Sequence, residues 1–153
     1  MIKLVISDCD GVLTDGKLYY GPEGEVMKVF NVKDGSAIKA IMSQGARFGV
    51  VSGRSSEALL KRAEELGMDF CLMAIENKAE AVAELRETYG FEKDEVLFVG
   101  DDTNDCAARA EVGHLYAVND AAHGLVEIAD VRLTTNGGDG VFKEVLQRIH
   151  VIK

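Results

Sequence analysis

The chain has 153 residues, enough for one domain with a sizeable core, and is 47% hydrophobic and 28% charged, as globular proteins are. Its formal net charge of −9 argues against nucleic acid or an anionic membrane surface as the main partner, and no targeting segment or long apolar run is visible. Cys9, Cys71 and Cys106 lack metal-type spacing and read as reduced thiols of a cytoplasmic protein.

The apolar run from Ile2 to Ile6 predicts a first strand buried on both faces, as in a parallel sheet. It leads into Asp8, Asp10 and Gly11. Two acids at a strand end repel each other, so one reading places a hard divalent cation between them. An ordinary acidic turn is the other. Lys17–Tyr20 and Glu25–Phe30 flank Gly21-Pro22-Glu23-Gly24 and predict a β-hairpin inserted before the first helix. An isolated hairpin is marginal in water, so this one packs on its own domain or on another subunit.

From Asp34 to Gln44 the spacing predicts a helix with Ile38, Ile41 and Met42 on one face and Gly45 as its stop. Phe48–Val51 is a strand ending in Ser52-Gly53-Arg54. Ser55 or Ser56 caps a helix running to about Leu66, with Leu59, Leu60, Ala63 and Leu66 inward. A short strand at Phe70–Met73 precedes a helix over Lys78–Tyr89, with Ala79, Val82 and Leu85 inward. Val96–Val99 is a strand closing on Gly100-Asp101-Asp102-Thr103-Asn104-Asp105. An alanine-rich helix follows, whose Ala107, Ala108 and Ala110 allow close packing. Leu115–Val118 and Val131–Leu133 are the last strands, and a flexible stretch from Asn136 to Gly140 leads into a helix ending near Ile149. Strands alternating with helices predict a doubly wound parallel α/β sheet, in one domain over residues 1–153.

In such a sheet Asp8, Asp10, Ser52, Lys78, Asp101, Asp102 and Asp105 gather at one edge, outside the carboxyl ends of the strands. Singly, each has a plain structural reading as a turn, a helix start or a cap acid favoured by the helix dipole. Lys78 fits that reading least, because a cation is disfavoured at a helix N-terminus. Jointly they read as phosphoryl transfer through an aspartyl phosphate. Asp8 is the nucleophile, and Asp10 protonates the leaving oxygen and later takes a proton from the attacking water. Asp8, Asp10 and Asp101, with a backbone carbonyl among the ligands, form the Mg²⁺ site. Asp102 and Asp105 stand behind it or reach it through water. Ser52 donates a hydrogen bond to a phosphoryl oxygen, and Lys78 sets a positive charge beside it.

This order of motifs resembles the haloacid dehalogenase superfamily: Asp8 to Gly16, Ser52-Gly53-Arg54, Lys78, and Gly100 to Asp105. Asp10 points to its phosphatases, since the dehalogenases lack that second acid. The extended first motif, the hairpin before Phe30-Asn31-Val32-Lys33-Asp34-Gly35 and the segment Gly137 to Glu144 resemble the capless branch of 3-deoxy-D-manno-octulosonate 8-phosphate phosphatases. That resemblance implies a Rossmann-like fold without a cap domain and a sugar-acid phosphate substrate. It also implies a homotetramer whose neighbouring subunits close the site. It places substrate contacts at Asp10, Lys33, Asp34, Gly35, Ser36, Ala37, Gly53, Arg54, Arg62 and Lys78. Arg54 and Arg62 match two arginines suited to a carboxylate, whereas Lys33 stands where the family has arginine and Ser36-Ala37 replaces a bulkier pair. Those departures leave a nine-carbon sugar-acid 9-phosphate as an alternative substrate. A phosphoacceptor receiver domain and a catalytically idle assembly subunit are alternatives of other classes. The motif order, with Asp8-Cys9-Asp10 on the first strand and Gly100-Asp101-Asp102 on a late one, is the reverse of a receiver's.

Overall fold

A computed structural model describes residues 1–151. The chain begins with β1 (Leu4–Ser7), the hairpin strands β2 (Tyr19–Gly21) and β3 (Gly24–Met27), α1 (Val32–Ser43), β4 (Arg47–Val51) and α2 (Glu57–Leu66). It continues through β5 (Phe70–Leu72), α3 (Lys78–Tyr89), β6 (Val96–Gly100) and 3₁₀ turns over Thr103–Glu111. It then runs through β7 (His114–Ala117), α4 (His123–Ile128), β8 (Val131–Arg132) and α5 (Val141–Arg148). Six strands form one parallel sheet in the order β5-β4-β1-β6-β7-β8, while β2 and β3 pair only with each other. This is the expected doubly wound sheet with a hairpin insertion, and its connections carry no cap.

Strand β1 lies inside the sheet because nothing in it needs water. Leu4, Val5 and Ile6 are fully buried, with Ser7 opposite Val50 of β4 on one side and Val99 of β6 on the other. Side chains alternate across the sheet. Val5, Phe48, Val50, Leu97 and Val99 pack with α1, α2 and α5, and Phe48 meets Phe142 edge-on at 5.0 Å. Leu4, Ile6, Val51, Val96 and Phe98 pack with α3, Ala108 and α4. Two apolar layers therefore clamp the sheet, and its carboxyl edge is left for polar groups.

Local chemistry moved several boundaries. The first helix starts at Val32, earlier than the apolar spacing indicates, because Asn31 caps it by accepting from the Lys33 N–H. In α2, Ser56 is the cap, and Leu60 faces outward. In α3 it is Ala81, rather than Ala79, that joins Val82 and Leu85 in the core. The expected alanine helix is a run of 3₁₀ turns in which only Ala108 of the three named alanines is buried. There the Asp102 and Asp105 side chains draw the backbone amides at its start into side-chain hydrogen bonds.

The stretch from Asn136 to Gly140 is pinned rather than flexible. The Gly137 N–H donates to the Asp120 carboxylate (3.0 Å), the Gly138 N–H to the Val12 carbonyl (3.0 Å), and the Asn31 amide to the Gly138 carbonyl (3.2 Å). A Cβ at Gly137 would collide with the Gly11 carbonyl. We expect Gly137→Ala to destabilise the fold by more than about 3 kcal/mol, read as a lowered urea midpoint, because backbone rather than a flexible side chain must yield.

Asp34 joins α1 to α5. It is 3% exposed, Oδ1 accepts from the Phe142 N–H (2.9 Å), and Oδ2 has no hydrogen-bond partner among the described residues. Burial pushes its carboxyl up to about 6, against the Phe142 hydrogen bond and the charge of Arg62, with Asp139 adding repulsion. The folded state therefore binds this proton more tightly than the unfolded chain. The favourable contribution is complete below about pH 4 and lost as pH rises through about 6. Urea unfolding of Asp34→Asn beside the natural protein should show the stability difference moving in the variant's favour by up to about 3 kcal/mol between pH 4 and 7.

Candidate active site

The sheet order places β1 between β4 and β6, so the loops leaving these three strands converge. Asp8 follows β1, Ser52 follows β4, Asp101 follows β6, and Lys78 opens α3 after β5. Together with Asp10, Gly16, Gly53, Arg54, Asp102 and Asn104, the residues Asp8, Ser52 and Asp101 line a cleft of about 230 Å³.

Lys78 does not line the cleft but lies buried behind it, against Asp8. The side chain is 1% exposed, and the ammonium lies 3.1 Å from Asp8 Oδ1 and 2.5 Å from Asp105 Oδ1. Burial works against that charge, and Asp8 and Asp105 outweigh it, holding the lysine above its ordinary value. Asn77 caps α3 by accepting from the Glu80 N–H, leaving Lys78 at the first helical position, from which it reaches the carboxylates. Asp105 is fully committed: its other oxygen accepts from the Asp101 and Asp102 amides at 2.9 and 3.1 Å. It orients the loop after β6 instead of facing the cleft.

Asp8 is buried. The Cys9 N–H donates to its Oδ1 at 2.7 Å, and Ser7 Oγ donates to its carbonyl at 2.6 Å. Burial raises its pKa, with the charge of Asp105 adding to the rise. Asp101 is raised as well, by burial and by the adjoining Asp8 carboxylate. Its Oδ1 is buried with no hydrogen-bond partner among the described residues. Gly11 makes this closeness possible: its φ is +85°, and a Cβ there would strike the Asp101 carboxylate.

Oxygens of Asp8, Asp101 and Asp105 lie within 4.8 Å of one another. An orphaned buried carboxylate oxygen beside a second buried acid is the donor set a hard divalent cation takes. Asp8 and Asp101 fit that role. Asp105, with both oxygens already engaged, does not need the ion.

Asp10 turns away from this cluster. Its Oδ1 accepts from Lys28 Nζ at 2.8 Å, and its Oδ2 lies 3.9 Å from Arg54. Ser52 is 2% exposed, and its Oγ accepts from the Arg54 N–H at 3.3 Å.

The haloacid dehalogenase-like hydrolase profile matches residues 73–145. The 3-deoxy-D-manno-octulosonate 8-phosphate phosphatase KdsC of Haemophilus influenzae is 38% identical over 148 residues, 97% of this chain and 82% of that protein. The chain belongs to the haloacid dehalogenase-like hydrolases. Among solved structures, the cobalt-bound phosphatase of Haemophilus influenzae superposes on this hydrolase with a TM-score of 0.93 at 38% identity, covering 96% of this chain and 86% of that one. The Moraxella catarrhalis phosphatase, in complex with magnesium ion, phosphate ion and KDO, gives 0.92 at 33% identity, covering 96% and 84%.

Other expected contacts of the hydrolase lie elsewhere. Lys33, Ser36 and Ala37 line a separate groove with Val32, Lys143 and Leu146, between α1 and α5. Asp34 and Gly35 are buried in α1, and Arg62 lies over the Phe30 ring and pairs with Glu65. None of these lines the cleft of a single chain. Conversely, Gly16 and Asn104 of the cleft, and Lys28 and Glu25 beside it, were not singled out from sequence. A charged pair three apart on an otherwise apolar hairpin strand was the available signal.

For the metal-binding capacity of the hydrolase, Mg²⁺ should raise the thermal midpoint of the whole protein. At one hundred times its Kd the gain is about 2.7 kcal/mol. Asp101→Asn should abolish it, as read by calorimetry with and without Mg²⁺.

Proposed function

We propose that the chain is a Mg²⁺-dependent phosphatase of 3-deoxy-D-manno-octulosonate 8-phosphate, acting through a phosphorylated Asp8. The observation that carries this reading is the buried Asp8–Lys78–Asp105 row with Asp101 beside it, in a chain 38% identical to a phosphatase of that name.

Asp8 attacks phosphorus, the bond to the leaving sugar oxygen breaks, and Asp10 delivers the proton to that oxygen. Asp10 then takes a proton from the water that hydrolyses the acyl phosphate. Lys78 and the Ser52 hydroxyl meet the phosphoryl oxygens as charge spreads over them. Asp8 and Asp101, with a backbone carbonyl, would hold the cation, which would supply charge neutralisation and alignment of the phosphate. Asp102 caps the loop after β6 through the Thr103 N–H, and Asp105 fixes both that loop and Lys78. Gly53 and Arg54 approach the sugar acid, Arg54 as a carboxylate partner.

The chain acts as a single domain in a homotetramer. The cleft, about 230 Å³, is smaller than the roughly 300–1,000 Å³ usual for a whole small ligand. Leu18, Tyr20, Val26 and Met27 of the hairpin are exposed, as is Val32 at 77%. Exposed apolar residues grouped in this way suit a partner surface. In the assembly a neighbouring subunit closes the cleft, and the Lys33 to Ala37 segment with Arg62 contributes to substrate choice there. The three free cysteines support a cytoplasmic setting. No helix among the described residues is long and apolar enough to cross a membrane.

Phosphate release with Mg²⁺ should be strongest from octulosonate 8-phosphate in a panel including nine-carbon acid 9-phosphates and hexose and pentose phosphates. Asp8→Asn should abolish it, a loss beyond about 10⁴-fold. Preference for a nine-carbon acid would keep the chemistry and replace the substrate. Stable phosphorylation of the protein without turnover would overturn the phosphatase reading.

A further inference from the structure

Beside the cleft, four charges stand in a row that joins the hairpin to both walls. Lys28, just past β3, has a side chain only 4% exposed, and its ammonium lies 2.8 Å from Asp10 Oδ1 and 3.2 Å from Glu25 Oε2. The same Glu25 oxygen lies 3.5 Å from Arg54 Nη2. Tyr20 Oη, on the partner strand β2, accepts from Arg54 at 3.5 Å. The row therefore alternates in sign from Asp10 through Lys28 and Glu25 to Arg54, which returns to Asp10 Oδ2 at 3.9 Å. Such a closed ring holds each member against its neighbours.

Its location matters more than its strength. Asp10 belongs to the loop after β1 and Arg54 to the loop after β4, while Lys28 and Glu25 belong to the hairpin. A lysine so little exposed, with its charge directed at two carboxylates, is not a solvated surface residue. By occupying Asp10 Oδ1 it leaves Oδ2, 3.9 Å from Arg54 and without a hydrogen bond among the described residues, to face the reacting ester. Arg54 Nη1 is buried without a hydrogen-bond partner among the described residues, and Arg54 lines the cleft.

We propose that Lys28 is a positioning residue for phosphoryl transfer: it sets the Asp10 carboxylate for proton delivery and, through Glu25, aims Arg54 at the substrate. This rests on the proton-transfer role given to Asp10 above. The hairpin is then part of the active site of its own chain as well as a surface for other copies. In the step concerned, the Asp8 oxygen–phosphorus bond forms, the phosphorus–oxygen bond to the leaving group breaks, and the Asp10 proton goes to the departing oxygen. An alkoxide needs that proton badly, and a nitrophenolate barely needs it.

The test compares kcat/KM for octulosonate 8-phosphate and p-nitrophenyl phosphate, with Mg²⁺, in the natural protein, Lys28→Met, Lys28→Arg and Asp10→Asn. Lys28→Met should lower the sugar-phosphate value about a hundredfold, within the range of a misplaced general acid, and the aryl-phosphate value at least tenfold less. Lys28→Arg should restore most of the loss. Glu25→Gln should instead raise KM for the sugar acid while sparing kcat. If Lys28→Met does not fold, Lys28→Gln, with an amide donor of similar reach, carries the comparison. Equal losses on both substrates for the Lys28 variants, with Asp10→Asn still selective, would overturn this proposal alone. Equal losses for Asp10→Asn would overturn the acid role of Asp10, and this proposal with it.

Discussion

Lys78 carries a full charge at 1% exposure, between Asp8 and Asp105, at the edge where the loops after β1 and β6 meet. An unpaired charge in such a place costs several kcal/mol, and so does each carboxylate without its cation. Much around it answers to that requirement. Asp105 satisfies the lysine with one oxygen and the backbone of the next loop with the other. That loop is thereby held in 3₁₀ turns, and Asp101 is presented to Asp8. The lysine holds a local charge balance that still leaves negative charge in excess: three buried or half-buried acids face one ammonium. A hard cation is what such an excess accommodates, and burial beside other carboxylates is what raises Asp8 and Asp101.

The sheet makes this arrangement affordable. Charged groups stand at one edge because both faces are sealed by Phe48, Phe98, Phe142 and the aliphatic residues around them. Strand β1, apolar up to Ser7, lies inside the sheet and delivers Asp8 to the carboxyl edge between two neighbours. Stability and reactivity are thus separated along a single strand, within a few residues of each other.

Much of this was legible in the sequence, for identifiable reasons. The odd position of Lys78 could be read because a lysine at a helix start conflicts with the dipole; the Asn77 cap that sets that start emerged only from the structure. The six-residue α4 was not legible: it contains Gly124 and has no side-chain cap. The turns after β6 read as an α-helix because alanine favours one, and only the tertiary demand on Asp105 overrides that preference. Asp8, Ser52 and Asp101 come together as strand-end positions should. Lys28 and Glu25 reach the cleft by the fold of a hairpin across the loop after β1, a path that spacing along the chain does not encode. Lys33, Ser36 and Ala37 entered through resemblance, and in this chain they face α5.

The contact of Gly137 with Gly11 bears on the order in which the protein is made. Residues far apart in sequence pack together at the loop after β1, and the Gly138 amide is tied to the Val12 carbonyl. A chain made from its N-terminus presents Asp8 before the Gly137 segment that packs against its loop. The Ile2–Val151 bridge, which joins the first turn of chain to the end of the described residues, closes the same circuit. Vectorial synthesis therefore leaves the loop after β1 without this backing until the Gly137 segment has been made.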